Sequence, residues 1–411
     1  MKLIYLLVII FIYFNSIFIA WFPNLNILSY WDEGLTIIFI VLCIIKIIYN
    51  KGKLKVNDDF KFIAPWIVVV FIGLIGNAVW NYAGASQAIV RDMVGFLKFP
   101  ICVYAIRFLK IDKKISEEVS NIYVKVIKFI LIVMFVCAIL SFWVDMGMSQ
   151  SDELRHGIYS FQFLFNHPNS FGLVIVMILC MLDSYDFKCK NIYIYLSLFL
   201  LILTMRTKIL AFVAVYVFLK FGRNWAKKYK FFFGIGAFGI ILAVTYSKIT
   251  MVMSWTESGR MRFWTESLNL IIKCFPIGTG FGTFASSVSG KYNSKLYSLL
   301  HIKEIYDQFG NPTSVLGDTG YPYYIAQFGL LGVMLLFASI RKLLSIIKIE
   351  CEGMFSAIYL TIYIMIALIG ESTLINAGVE LAFTLCLIMY NTKNSKMRLL
   401  YREKERREDI L

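Results

Sequence analysis

Five arginines of this sequence are candidates for binding an anion: Arg91, Arg155, Arg206, Arg260 and Arg262. The guanidinium group is planar, stays charged and can bind two oxygens of a phosphate at once. All five are predicted to lie near the external membrane surface, against the usual bias of Lys and Arg toward the cytoplasmic side. We therefore expect them to share an anionic ligand. The alternative is that each is a rim residue whose side chain reaches to the membrane surface.

A glycine-rich segment follows two of these arginines. Arg260 and Arg262 open a stretch in which apolar residues recur at helical spacing, which predicts an amphipathic helix lying at the membrane interface. Its apolar positions are Trp264, Leu268, Ile271, Ile272 and Phe275. The helix is expected to end at 276–283, where Gly278 and Gly280 would let the backbone approach a ligand closely. An interfacial helix with a flexible exit is the alternative.

The elements that must position these residues are membrane helices. The chain is 59% hydrophobic and only 16% charged, outside the range of a soluble domain of this size. Runs long enough to cross a membrane recur along it, and they predict an all-α integral membrane protein of about twelve spans. The predicted spans are 3–20, 34–49, 62–80, 88–109, 122–144, 163–183, 191–205, 207–222, 231–249, 320–341, 353–369 and 373–390.

The distribution of Lys and Arg predicts that both termini are cytoplasmic. The chain then divides into a nine-span region (1–249), a large external loop with the interfacial helix (250–319), a three-span region (320–390) and a basic tail (391–411). The net charge of +15 follows largely from this topology, since a basic cytoplasmic face meets anionic lipids and needs no nucleic acid. Only Cys274 among the cysteines is predicted to be external, so no disulfide framework is expected.

Several functional classes lack their signatures. Gly290-Lys291 has neither the first glycine nor the following Ser or Thr of a phosphate-binding Walker A loop. The three histidines show no metal-ligand spacing, so neither a metal nor another cofactor is expected. No cytosolic domain is large enough for an enzyme that uses nucleotide sugars. Any chemistry would therefore use an activated substrate that is already in the membrane.

The order of several short motifs resembles the O-antigen polymerase and O-antigen ligase superfamily. They comprise Ser-Gly-Arg at 258–260 with Trp264, the glycine-rich 276–282, Asp-Thr-Gly-Tyr at 318–321 and Gln-Phe-Gly-Leu-Leu-Gly at 327–332. Asn-His-Pro-Asn at 166–169, with Arg155 upstream, fits the same pattern. The resemblance covers most of the chain, including the span number and the long outer loop before the last three spans.

This resemblance implies a fold related to the membrane-embedded GT-C glycosyltransferases and an inverting glycosyl transfer on the outer leaflet of a bacterial plasma membrane. The donor would be an oligosaccharide on undecaprenyl pyrophosphate, and the five arginines would stabilise the leaving pyrophosphate. His167, Gly278, Gly280 and Tyr321 are expected to contribute to the substrate-binding loops. Membrane lipids, a flippase and a chain-length regulator are the further partners that the resemblance implies.

The attacking sugar hydroxyl needs a group that accepts its proton. Asp318 is the first candidate, and Glu371, in the outer turn before the last span, is the second. Asp318 also stands where a residue would cap the next helix, and the two roles are compatible. In the ligase branch a histidine occupies the position that aligns with Asp318, so the aspartate favours a polymerase.

Two other functions stay open at this point. A ligase would share the donor site and transfer the polymer to a lipid A core or a protein. A flippase or another secondary transporter also fits about twelve helices with buried cations, although the sequence shows no internal repeat of the kind that such transporters carry. The sugars, the linkage and the product, whether capsule, O-antigen or exopolysaccharide, are not encoded in any motif.

Overall fold

The fold is known from a computed structural model that describes residues 2–22, 24, 26–49, 58–109, 113–155, 157–221, 239, 259–302, 316–317, 319–350 and 355–390. Within these ranges the protein is almost entirely helical. The predicted ninth span (231–249) and the basic tail (391–411) lie outside the described residues, residue 239 apart.

The described helices follow the predicted spans closely. The longer ones are α1 (Lys2–Trp21), α2 (Trp31–Tyr49), α3 (Asp58–Trp80), α4 (Ser86–Leu109), α5 (Lys113–Leu140), α6 (Pro168–Ser184), α7 (Lys190–Leu203), α8 (Thr207–Phe221), α9 (Gly259–Lys273), α12 (Gly320–Glu350), α13 (Ser356–Ala367) and α15 (Gly378–Tyr390). The short ones are α10 (Ser287–Lys291), α11 (Lys295–Leu299) and α14 (Thr373–Asn376).

Three of the described helices are long and apolar enough to cross a membrane, judged by length and composition. They are Asp58–Trp80 in α3, Asn121–Leu140 in α5 and Gly320–Ile347 in α12. Shorter apolar helices accompany them, among them Pro168–Ser184 and Ser356–Ala367. These helices indicate a membrane protein.

The apolar surface of the helices points to the same environment. In α2 the side chains of Ile37, Ile44 and Ile48 are 50–71% exposed, and in α3 Phe71 is 60% exposed. Soluble monomers rarely expose contiguous apolar surface on this scale, because water penalises it. A lipid surround removes that penalty, since hydrocarbon chains are as apolar as the side chains they meet.

The helix ends meet in two groups. We call the end that carries residues 80–86, 141–167, 204–206, 259–302 and 368–373 the loop end. At the opposite end Arg107 bonds Asp59 at 2.5 Å, and Lys342 lies 2.6 Å from Asp58. When successive helices cross a membrane in opposite directions, their ends lie alternately on its two sides. The two groups of helix ends agree with such an arrangement.

An aromatic core sits where α3, α4 and α12 meet near the loop end. The Phe96 ring lies 4.8 Å from that of Phe328 and 4.9 Å from that of Trp66, between ring centroids. Phe281, from the glycine-rich segment, packs against both phenylalanines. Aromatic pairs at these separations stabilise beyond their buried area, typically by about 0.5–1.5 kcal/mol each. The glycine-rich segment is thus anchored in the helix core.

Three details differ from the sequence expectation. The region between α5 and α6 contains an antiparallel hairpin of β1 (Ser149–Arg155) and β2 (Ile158–Phe161), whereas an all-α fold was expected. This hairpin shortens the neighbouring helices, so the predicted spans 122–144 and 163–183 were too long at the loop end. The predicted span 373–390 is interrupted at Ala377, whose φ of −134° departs from helical geometry and separates α14 from α15.

Lys98, seven residues after Arg91 in α4, has partners inside the helix bundle. It is buried in the middle of α4 and bonds Asp32 and Glu33, in the first turn of α2, at 2.6 Å each. A buried ammonium is stable only with such compensation. Lys98 thus belongs to an interior cluster and not to the arginines of the loop end.

Candidate functional site

The glycine-rich segment is bound through its backbone to the helices α3, α4 and α12. Asn77 of α3 accepts a hydrogen bond from the Phe281 N–H and donates one to the Phe281 carbonyl, both at 2.8 Å. The N–H groups of Thr279 and Gly280 donate to the carbonyls of Ala326 and Gln327 in α12. These hydrogen bonds therefore hold the segment in a fixed position at the loop end.

Its glycines permit this close approach. Gly278 and Gly280 have φ angles of +70° and +90°, which L side chains rarely adopt. A Cβ at Gly278 would lie 2.4 Å from the Gly329 nitrogen, and one at Gly280 would lie 2.5 Å from the Asn77 nitrogen. The sequence predicts that the backbone approaches a ligand at these two glycines. In the structure it instead approaches the backbone of α12 at Gly278 and of α3 at Gly280.

Replacing Gly278 by alanine should therefore deplete the folded protein. The left-handed conformation alone costs a non-glycine residue about 1–2 kcal/mol, and the clash with Gly329 adds to it. We expect a lower melting midpoint of the purified protein and reduced abundance in the membrane. Gly34→Ala is the matched control, since nothing lies within 4 Å of a Cβ at that position. Equal midpoints for the two variants would contradict the packing role.

Asp92 is a residue of this site that sequence reasoning missed. It is 1% exposed in α4, and its Oδ2 accepts a hydrogen bond of 2.7 Å from the Gly282 N–H. Within the described part of the chain its Oδ1 has no hydrogen-bond partner, and the side chains of Gln327, Ser286 and Tyr323 surround the carboxyl group. A carboxylate inside an apolar span is itself a signal, because ionisable groups at that depth are expensive. The prediction from the sequence considered only the basic residues as signals of this kind.

Helix α9 confirms the predicted amphipathic helix and shows two different faces. Phe263 and Leu270 are buried, and the Phe263 ring packs against the rings of Phe284 and Tyr297. Leu268, Ile272 and Phe275, which the sequence assigned to the interfacial face, are 53–77% exposed. One face thus packs on the protein, while the other is free to enter the headgroup region of a bilayer.

The two arginines at the start of α9 differ in their surroundings. Arg262 is half-buried and donates to the carbonyls of Leu300 and His301, at 3.1 and 2.8 Å. Arg260 is exposed. The contacts of Arg262 tie α9 to the segment after α11, so this guanidinium contributes to the fold of the loop end as well as to its charge.

Arg91 lies at the loop end of α4 with its guanidinium exposed. It lies over the ring of Tyr292, with 5.8 Å between its Cζ and the ring centroid. Nearby, Lys295 donates to the Asn81 carbonyl and is exposed as well. Among the described residues no carboxylate pairs with Arg91 or Lys295, so both leave positive charge exposed at the loop end.

Arg206 stands at the junction of α7 and α8 and donates to the Gln150 side chain of the hairpin. Arg155 ends β1, where its backbone pairs with Ile158. The hairpin thus reaches over the junction that carries Arg206. Two residues on, Lys208 forms an ion pair with Glu371, and both side chains are largely buried.

A continuous series of contacts links that ion pair to α9. The backbone of Glu371 lies against Gly320, where an added Cβ would be 2.8 Å from the Glu371 carbonyl oxygen. The next residue, Tyr321, donates to the Met365 carbonyl, and its ring centroid lies 6.1 Å from that of Trp264 in α9. Arg206, Glu371, Tyr321 and the α9 arginines consequently lie along one path across the loop end.

Two further predicted site residues are Asp318 and His167. Asp318 lies outside the described residues. His167 is half-buried and caps α6, since its Nδ1 accepts a hydrogen bond of 3.1 Å from the Asn169 N–H. The capping geometry gives His167 a structural reason to be present; its contribution to substrate binding stays a prediction.

Comparison with known proteins leaves the family open. No family model matches the chain, and no curated protein matches it at a significant level. The motif resemblance therefore rests on the residues of this chain alone. Support for a function comes from the geometry of the loop end. Chemically, that end combines exposed guanidinium groups, aromatic rings and a carboxylate–lysine pair, a set suited to a phosphorylated, sugar-bearing lipid.

Proposed function

We propose that this protein polymerises lipid-linked oligosaccharide repeat units by inverting glycosyl transfer on the outer leaflet. The observation that carries the proposal is the path of contacts from Arg206 through the Lys208–Glu371 pair and Tyr321 to Trp264 and the α9 arginines. It places guanidinium groups, aromatic rings and a carboxylate at one end of an apolar helix bundle. That is where a headgroup attached to a membrane-embedded lipid would arrive.

The reaction assigns a role to each type of group. The hydroxyl of the acceptor sugar attacks the anomeric carbon of the donor, the bond from that carbon to the pyrophosphate oxygen breaks, and configuration inverts. Arg91, Arg155, Arg206, Arg260 and Arg262 are the candidates to stabilise the negative charge on the departing undecaprenyl pyrophosphate. Asp318 accepts the proton of the attacking hydroxyl, with Glu371 as the second candidate.

The proposal includes a defined membrane placement. The chain crosses a bacterial plasma membrane about twelve times, with both termini in the cytoplasm and the loop end outside. Successive helices end alternately at the loop end and at the opposite end, which supports this placement. The bias of Lys and Arg in the sequence supports it as well. A flippase and a chain-length regulator are the proposed protein partners.

The orientation predicts which thiols an impermeant reagent reaches. Cysteines introduced at the exposed positions Ser287 and Ser298 should be labelled in intact cells. The native Cys189 is exposed at the opposite end and should react only after permeabilisation. Cys274 should stay unlabelled, because it is 2% exposed and burial raises the pKa of its thiol.

The introduced cysteines are best examined in a background with Cys189 and Cys351 replaced by serine, so that each signal comes from one site. Labelling of Cys189 in sealed cells, without labelling at position 287, would reverse the orientation and place the candidate site in the cytoplasm.

Deletion of the gene separates the proposed function from its rivals. A polymerase mutant should display or accumulate single repeat units on the outer leaflet, without long chains. A ligase mutant should instead retain full-length polymer on the lipid carrier. The measurement is the length ladder of lipid-linked and surface polysaccharide.

One observation favours a transporter, namely the charged residues deep inside the bundle around Lys98. Charged groups within spans often mark translocation paths. Accumulation of single repeat units on the cytoplasmic leaflet only would support that reading and refute the polymerase.

A further inference from the structure

A cluster of ionisable side chains lies inside the bundle, away from the candidate site. We call it the interior charge cluster; it consists of Asn15 of α1, Asp32 and Glu33 of α2, Lys98 of α4 and Glu380 of α15. Asp32, Lys98 and Glu380 are 9%, 6% and 8% exposed. Four separate helices therefore bring charged or amide groups to one buried place.

The hydrogen bonds of the cluster leave two carboxylate oxygens unused. Lys98 bonds one oxygen each of Asp32 and Glu33 at 2.6 Å. Asn15 donates to Oε1 of Glu380 at 3.0 Å. The second oxygens of Glu33 and Glu380 are buried and have no hydrogen-bond partner among the residues that the structure describes. A buried carboxylate oxygen without a partner loses its hydration and gains nothing in return.

The charges of the cluster do not balance. Three carboxyl groups face a single ammonium, and the remaining neighbours that bear on Glu380 are the Asn15 amide and the Cys102 thiol. Thr384, on the helix of Glu380, bonds Tyr13 of α1 and adds no charge. Ionised in full, the cluster would hold uncompensated negative charge at membrane depth. Such charge is normally neutralised by a bound cation or a proton.

We propose that the interior charge cluster binds a small monovalent cation, Na⁺ or H⁺, with Glu380 as its principal ligand. The unpartnered oxygen of Glu380 supplies a hard oxygen ligand of the kind that such a cation prefers, and Asp32 and Lys98 are its charged neighbours. Lys98 already neutralises part of the charge, which disfavours a divalent ion. The site is distinct from the loop end, so this proposal does not depend on glycosyl transfer.

The test uses the full chain, purified and reconstituted in lipid nanodiscs, and follows its thermal unfolding. One series raises NaCl while choline chloride keeps ionic strength constant; a second series lowers the pH in choline chloride. A ligand that binds only the folded state raises the melting midpoint with its concentration. We expect a rise of a few degrees in the sodium series or in the pH series. Glu380→Gln should abolish a sodium response and should reduce a pH response, to which other buried carboxyl groups such as Asp92 also contribute.

Glu266→Gln, the same substitution on α9 outside the cluster, should keep the wild-type dependence. A rise in the sodium series identifies Na⁺ as the cation, and a rise in the pH series alone identifies H⁺. Equal responses of wild type and Glu380→Gln in both series would overturn the proposal. Should Glu380→Gln fail to fold, Glu33→Gln must weaken the same dependence, and an undiminished response of that variant would overturn it as well.

Discussion

Replacing Asp318 by asparagine is expected to stop chain extension while the protein stays at its normal abundance in the membrane. Asparagine caps a helix nearly as well as aspartate does, so the start of α12 should survive. It cannot accept a proton, and loss of a positioned base typically lowers a rate by about 10²–10⁴-fold. The measurement is the length ladder of the polysaccharide together with an immunoblot of the membrane fraction.

The residues on either side of position 318 are held by hydrogen bonds to the turn before α14. Ser372 donates to the Gly317 carbonyl, and the Gly320 N–H donates to the Leu368 carbonyl. Thr319 is 1% exposed, and no described residue forms a hydrogen bond with its hydroxyl. The chain on both sides of residue 318 is thus fixed to the turn that carries Glu371.

Glu371→Gln is the control for the rival assignment. Glu371 already pairs with Lys208, and a carboxylate engaged by an ammonium is a weaker proton acceptor than a free one. We expect Glu371→Gln to retain activity. Near-normal chain extension by Asp318→Asn, with an inactive Glu371→Gln, would transfer the role of proton acceptor to Glu371 and leave Asp318 as a helix cap.

The helices could be predicted from the sequence because their signal is local. An apolar run of sufficient length must form a helix in a membrane, where every backbone polar group needs an internal partner. The hairpin at 149–161 has no such signal, since its first strand is polar. The break at Ala377 was also hidden, because hydropathy measures the composition of a segment and not its continuity.

The candidate site was only partly predictable, for a physical reason. Arginines that depart from the expected bias of Lys and Arg can be picked out from the sequence by residue type and position alone. Partnerships such as Asn77 with Phe281, or Asp92 with Gly282, join residues about two hundred positions apart. Nothing local distinguishes a glycine that approaches a ligand from one that packs against another backbone, so Gly278 and Gly280 needed the structure.

Arg91→Ala is expected to remove most polymer without destabilising the protein. Its guanidinium is exposed at the loop end and contacts the Tyr292 ring, an interaction of about 0.5–1 kcal/mol at such sites. If it stabilises the pyrophosphate that leaves, its loss should cost about 10²–10³-fold in rate, as for other groups that bind developing charge. Arg91→Lys should restore activity only in part, because an ammonium cannot bind two oxygens in the guanidinium geometry. Polymer yield and length, at matched abundance, measure both effects.

Two control variants separate this role from charge and packing. Tyr292→Leu removes the aromatic partner but keeps the guanidinium, so it should extend chains normally. Arg341→Ala removes an equally exposed arginine from the opposite end of the bundle and should also be active. If Tyr292→Leu were as inactive as Arg91→Ala, the pair would matter for the structure of the loop end and not for the anion. If Arg341→Ala were equally inactive, the effect would follow from the overall charge of the protein, and Arg91 would lose its assignment to the pyrophosphate.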